Sequence, residues 1–172
     1  SYFKAGVVDI EAVTDHGIFA SLYHAARMHD IRTILSGVNT ATEGILPYTW
    51  HHPKLDHVNL QSIHHTHGRR KIKTFPVMDN SFKKWARRAH LRSVNVLDYI
   101  DYQRDEAEAT IEKELGWQPY GGKHYESIFT RFYQGYILPI KFGIDKRKAH
   151  LSTLICSGQI TRDEALRELK DD

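Results

Sequence analysis

An α/β fold is what this sequence predicts, on three observations. A helix-period apolar run, Ile18, Phe19, Leu22, Tyr23 and Ala26, leads straight into the short apolar run "TILSG". A second such run, "RSVNVL", follows a basic amphipathic stretch, and the last third of the chain is helical by periodicity throughout. A helix feeding a short apolar strand is half of a β-α-β unit, so these elements belong to an α/β layer with a helical C-terminal part. Two strands are few for such a layer, and further strands upstream of Ser1 would account for the shortfall.

Taken in order, Thr14 or Asp15 is placed to cap the first helix, and Thr33 to Leu35 reads as a buried strand ending in a glycine turn. A polar stretch from Ser36 to about Pro53 follows; connections this long inside a domain are usually functional or mobile. Asp56 is placed to cap a helix running to about His67, which Gly68 ends. Asp79 or Asn80 caps another, with Phe82, Trp85, Ala86 and Ala89 inward and Lys83, Lys84, Arg87 and Arg88 outward. The second strand covers Arg92 to Leu97. A helix from about Gln103 to Leu115 turns Ala107, Ile111 and Leu115 inward and stops at Gly116.

Beyond it, Tyr125, Ile128, Phe129, Phe132, Tyr133 and Tyr136 recur at helical spacing, predicting a packed aromatic face that Pro139 terminates. Asp145 caps the next helix, which buries Leu151, Leu154 and Ile155 and closes at Gly158. Thr161 and Glu164 form a T-x-x-E capping box for a last helix bearing Ala165, Leu166 and Leu169. The organisation expected is an α/β part over residues 1–115 and a helical region over residues 116–172.

With 41% hydrophobic and 26% charged residues the composition is that of a globular protein with a sizeable core. No apolar run approaches the roughly 20 residues of a membrane helix, so no membrane insertion is expected. Cys156 is the only cysteine, which excludes an internal disulfide; its apolar neighbourhood predicts a buried, inert thiol and a reducing, cytoplasmic setting. Charge is uneven. Residues 69–92 hold nine Lys/Arg against Asp79 alone, a net of +8, and residues 120–150 hold six against Glu126 and Asp145, a net of +4. Residues 98–114 carry seven acids against Arg104 and Lys113, a net of −5. Two basic segments in a nearly neutral chain point to a polyanionic partner, with solvated helix faces as the plainer explanation.

Three constellations bear on chemistry. Twelve histidines raise the question of a metal, but no H-E-x-x-H spacing occurs, and surface histidines are the preferred reading. "SGVNTATEG" follows a strand directly, so Ser36, Gly37, Asn39 and Glu43 would lie at the carboxyl edge of the sheet, where α/β folds bind ligands. The same pattern also describes a tight polar turn. "YGGKHYESIFTRFYQ" sets Lys123 and His124 before a helix whose polar side carries Ser127, Arg131 and Gln134, and "DKRKAH" brings Lys146, Arg147 and His150 to a second helix start. Two such starts can converge on a diphosphate, or their cations can be solvated; spacing leaves both open.

The segments "ILSGVNTATEGILPYTW", "KTFP" and "YGGKHYESIFTRFYQGYILPIKFGIDKRKAHLSTLICSGQITRDEAL" resemble the N-acetyl sugar amidotransferase family of bacterial surface-polysaccharide synthesis. These are lipopolysaccharide biosynthesis proteins of the WbpG or PseA type. The resemblance runs from about Val7 to Leu169. It implies a Rossmann-like adenine-nucleotide alpha-hydrolase (PP-loop ATP pyrophosphatase) fold, incomplete at the N-terminus. It further implies ATP-dependent conversion of an acetamido group to an acetamidino group on a nucleotide-activated N-acetyl sugar. ATP and Mg2+ are the cofactors implied, and a glutaminase subunit supplying ammonia, with a possible cyclase-like subunit, the partners. The S-G-G-x-D-S pyrophosphate loop of such enzymes is absent, so this chain alone is expected to be inactive in adenylation and to begin midway along a longer protein. By this resemblance Ser36, Gly37, Asn39 and Glu43 fall near ATP and magnesium. Lys123, His124, Glu126, Arg131, Lys146, Arg147 and His150 fall to the sugar nucleotide, and no residue matches a catalytic nucleophile. The competing expectation is a basic nucleic-acid-binding or tRNA-modifying module around Lys83 to Arg88; inward-facing Phe82 and Trp85 would be poor stacking platforms for bases, so nucleic acid is the less expected partner.

Overall fold

The computed structural model describes residues 1–121, 125 and 127–170. They form a mixed α/β structure made mostly of helices, with one small two-stranded sheet. The chain divides into two compact units, Ser1–Ser36 with Tyr48–Val94, and Gly37–Pro47 with Asn95–Asp172.

The first unit contains α1 (Tyr2–Ala5), α2 (Ala12–Met28), β1 (Thr33–Ser36), α4 (His57–His67) and α5 (Asn80–Arg88), and β1 pairs with β2 (Arg92–Asn95). Its core is Ala20, Met78 and Phe82, backed by Tyr23, Leu55, Trp85 and Ala86. Phe82 is 1% exposed; it meets the His24 ring edge-on at 4.6 Å and the Trp85 ring at 5.1 Å, while the Arg27 guanidinium lies 5.4 Å from the Trp85 centroid. Asp56 accepts from the backbone N–H groups of Val58 and Asn59, and Asp79 from that of Phe82, so two orphan helix starts are satisfied by local carboxylates. Those bonds hold both carboxyl groups below the usual carboxylate range.

His16 ties α2 to two irregular segments. Its Nδ1 lies 2.8 Å from the Lys54 carbonyl, which can only accept, so Nδ1 carries the proton. Nε2 then accepts the Met78 N–H at 3.1 Å. The ring stacks near Phe75, and a Cβ at Gly17 would approach the Phe75 ring to 3.0 Å, so the glycine leaves that ring its place. Burial, chiefly, with help from His57 and Lys83, pushes the His16 pKa down. Lys54 in turn bridges Asp9 at 2.7 Å and Asp15 at 3.0 Å.

The second unit contains α3 (Thr40–Glu43), α6 (Arg104–Leu115), α7 (Ile128–Phe132), α8 (Leu138–Phe142), α9 (Lys146–Cys156) and α10 (Arg162–Glu168). Leu151, Leu154 and Ala165 form its core, with Ile155, Ile160 and Leu169 packed against them. Asp145 caps α9, and the Thr161–Glu164 capping box starts α10 with both reciprocal bonds made. Gly116 ends α6 with φ 67°, the left-handed conformation a C-terminal stop needs.

Several expectations are corrected. α2 starts at Ala12, and its buried residues are Ala12, His16, Ala20 and Ala26, whereas Ile18, Phe19 and Leu22 are exposed. On this face Ala20 packs with Phe82 and Met78, and His16 bonds to two backbone groups. β1 is not a buried strand: Leu35 is 69% exposed. The second strand stops at Asn95, where a 3₁₀ turn begins, and Leu115 of α6 is exposed. Cys156 is exposed rather than buried, at the last residue of α9. The stretch from Ser36 to Pro53 is partly structured, holding α3 and a 3₁₀ turn at Tyr48–Trp50.

The aromatic helix differs most. Pro139 does not end it: a π turn over Tyr133–Ile137 joins α7 to α8, and the helix runs on to Phe142. A π turn changes the bonding step from four residues to five, and a residue without an N–H is tolerated where the ladder changes register. The aromatic residues also do not form one buried stripe. Tyr133 and Leu138, five apart, are buried, while Phe129, Phe132 and Tyr136 are exposed.

Two outcomes follow for the first unit. Phe82→Ala removes the side chain its core closes on and should lower unfolding free energy by about 3–5 kcal/mol in urea titration. A His16 pKa lowered in the folded state means the unfolded chain binds the proton more readily. His16 stabilisation is therefore complete above about pH 6.5, the unfolded value, and is lost as pH falls through it. Stability measured from pH 7 to 5, above the range where Asp56 and Asp79 protonate, should decline in the native chain and decline less in His16→Gln.

Candidate functional site

In the second unit α9 acts as an anchor for two irregular segments. Thr153, 3% exposed, accepts the Ile45 N–H at 3.0 Å and donates its hydroxyl to the Ala149 carbonyl at 3.0 Å. One turn on, the Ser157 hydroxyl donates to the Ala41 carbonyl at 2.6 Å. Past the helix, the Gln159 amide donates to the Tyr102 carbonyl and accepts the Arg104 N–H. Asp98 accepts the Thr40 N–H at 2.7 Å, holding the start of α3 from the other side. Backbone groups with no ladder of their own are satisfied by these side chains, so α3 and the residues after it are held against α9.

The result is a cleft of about 1160 Å³. Glu43, Ile45 and Leu46 come to it from the α3 segment; Arg131, Phe132 and Tyr136 come from the aromatic helix; Lys146, Arg147 and His150 come from the first turns of α9. Four of the cationic or histidine residues singled out from the sequence thus share one cavity with Glu43. Arg131 lies over the Tyr125 ring at 4.5 Å, a cation–π contact that fixes its guanidinium at the wall. Arg147 is already engaged by Asp145: Nε and Nη2 each meet a carboxylate oxygen at 3.1 Å. Burial raises the Asp145 carboxyl, but Arg147 pulls it down further, and it ends below the usual carboxylate range. Glu164, another carboxylate of the lining, is engaged in the α10 capping box.

The remaining expected residues are distributed otherwise. Asn39 is buried, and its Oδ1 accepts from the N–H and the hydroxyl of Thr42, so it caps α3. Gly37 is exposed, Ser36 ends β1, and neither they nor Asn39 line the cleft. Lys123, His124 and Glu126 lie outside the described residues. Ser127 caps α7 by accepting the Thr130 N–H. Sequence reasoning missed Phe132, Gly135 and Tyr136 as lining residues because their spacing signals a packed face. The proline at the far end of the run was the available sign that this helix is irregular.

The segment supplying most of this cleft can be compared with known families. Residues 126–172 match the family model of the LPS biosynthesis protein WbpG-like, C-terminal domain. This C-terminal segment is thus similar to that domain. This is the family its motifs resemble, at that family's C-terminal portion, and it associates the chain with LPS biosynthesis proteins. Comparison with curated proteins and with solved structures gave no match. Within the WbpG-like segment lie Arg131, Phe132, Tyr136, Lys146, Arg147 and His150, whereas Glu43 reaches the cleft from outside it.

Thr153→Val keeps the shape of this anchor but leaves the Ile45 N–H without its acceptor. It should lower unfolding free energy by about 1–3 kcal/mol. Amide exchange at Ile45 should accelerate in the variant while exchange in the α5 helix stays unchanged.

Proposed function

We propose that this chain is the C-terminal part of an ATP-dependent amidotransferase of surface-polysaccharide (LPS O-antigen) biosynthesis. The enzyme would convert the acetamido group of a nucleotide-activated N-acetyl sugar to an acetamidino group. The observation that carries this reading is the convergence of Arg131, Lys146, Arg147 and His150, all within the WbpG-like segment, on one cleft with Glu43. Guanidinium and ammonium groups suit a diphosphate, and a carboxylate suits sugar or ribose hydroxyls.

The residues present do not fit a complete site for ATP and magnesium. Asn39 is occupied as a cap, and among the described residues no group of three His, Cys, Asp or Glu side chains could hold a metal ion. The S-G-G-x-D-S loop is also missing from this sequence. We therefore assign this chain the sugar nucleotide, and no step of adenylation. The Rossmann-like pyrophosphatase fold, the division at residues 115 and 116, the glutaminase and cyclase-like partners and a cytoplasmic location belong to the same reading. The nucleic-acid alternative gains no support from α5, whose Phe82 is buried and whose Trp85 is half-buried beneath Arg27.

The test is AMP release by the full-length gene product with Mg-ATP, a glutaminase, glutamine and a panel of UDP-N-acetyl sugars. Release that requires one of the sugars is the expected result; none with any sugar nucleotide would overturn the assignment. Lys146→Ala should raise KM for that sugar about tenfold or more, as loss of a bond to a charged group would.

A further inference from the structure

Phe132 and Tyr136 line the cleft with 54% and 56% of their surfaces exposed. Their ring centroids are 5.6 Å apart and their planes lie within 17° of parallel. Gly135, between them in sequence, also lines the cleft, and beyond its own chain neighbours and helix backbone a Cβ built there would meet no atom within 4 Å. One wall of the cleft is thus a pair of parallel rings with free space beside them. The pair lies off the buried side of this helix, which Tyr133 and Leu138 occupy. Arg131, next to Phe132 in the chain, brings a guanidinium to the same cavity, and Lys146 an ammonium.

Single exposed aromatics are ordinary, but a parallel pair inside a cation-lined cavity calls for a ligand with both a flat π face and negative charge. A diphosphate alone would need only the cations. A neutral peptide or an uncharged lipid would use the apolar wall and leave the cations unmatched. A nucleoside diphosphate uses both, and a cleft of about 1160 Å³ has room for one that bears a sugar. We infer that the Phe132–Tyr136 pair is the stacking platform for the base of a nucleoside diphosphate whose phosphates face Arg131 and Lys146. This rests on the reading of the cleft as a nucleotide-sugar site and adds to it the residues that recognise the nucleoside.

Isothermal titration of the full chain with UDP and with inorganic pyrophosphate separates the two ideas. UDP should bind more tightly than pyrophosphate by about 5- to 100-fold, the range that base–aromatic stacking supplies. Phe132→Ala and Tyr136→Ala should each remove most of that difference and leave pyrophosphate binding unchanged, whereas Lys146→Ala should weaken both ligands. Gly135→Leu should obstruct UDP more than pyrophosphate and decides the matter if either aromatic variant fails to fold. Equal affinity for the two ligands, or aromatic substitutions that weaken both alike, would overturn the stacking platform and leave the anion site standing. Binding of neither ligand would remove the nucleotide-sugar reading and the platform with it.

Discussion

The buried hydroxyl of Thr153 links the parts of the second unit that carry its chemistry. It accepts the N–H of Ile45 from a segment 108 residues earlier and returns its own proton to the helix carbonyl of Ala149. Ser157 repeats the arrangement toward Ala41, and Gln159 extends it to Tyr102 and Arg104. The Ile45 N–H and the Tyr102 carbonyl lie outside any sheet or helix ladder, so loss of these bonds would expose unpaired polar atoms as well as release a segment. Because α3 rides on this anchor, Glu43, Ile45 and Leu46 reach a cleft whose other walls are α9 and the aromatic helix. The geometry of the candidate site is thus set by side-chain hydrogen bonds to an irregular strand of chain.

Within that frame the helix that runs through the π turn at Tyr133–Ile137 supplies the aromatic wall of the cleft. A regular helix would have turned Phe129, Phe132, Tyr133 and Tyr136 onto a single stripe, as their spacing implies. With the five-residue step, Tyr133 and Leu138 are buried, and the Phe132–Tyr136 pair lines the open cavity. Such single turns recur at functional sites because they redirect side chains without ending a helix. The aromatic wall and the cationic rim then belong to one surface.

Much of the local structure was legible. Asp56, Asp79, Asp145 and the Thr161–Glu164 box are caps, read correctly because a cap is an interaction over two or three residues and needs no distant partner. Gly116 at a left-handed stop is legible for the same reason. The inner face of α2 was not. Ile18, Phe19 and Leu22 carry the stronger apolar signal, yet Ala12, His16 and Ala20 are buried; Ala20 packs with Phe82 and Met78, and His16 finds two backbone partners. At the site, Arg131, Lys146, Arg147 and His150 were identified as residues that could share an anion. Asn39 was misread, because its capping bond to Thr42 and a nucleotide contact look alike in a polar turn.

By itself, then, the sequence determined the helix starts and stops, the basic outer face of α5 and the motifs that match the WbpG-like C-terminal domain. All of these rest on contacts or patterns between near neighbours in the chain. Only the tertiary structure decided which face of α2 is core, that Cys156 is exposed, that the aromatic stripe opens into a cleft, and that Glu43 joins the cations there. Those outcomes depend on partners up to 116 residues away and on one inserted helical residue, and periodicity carries no record of either.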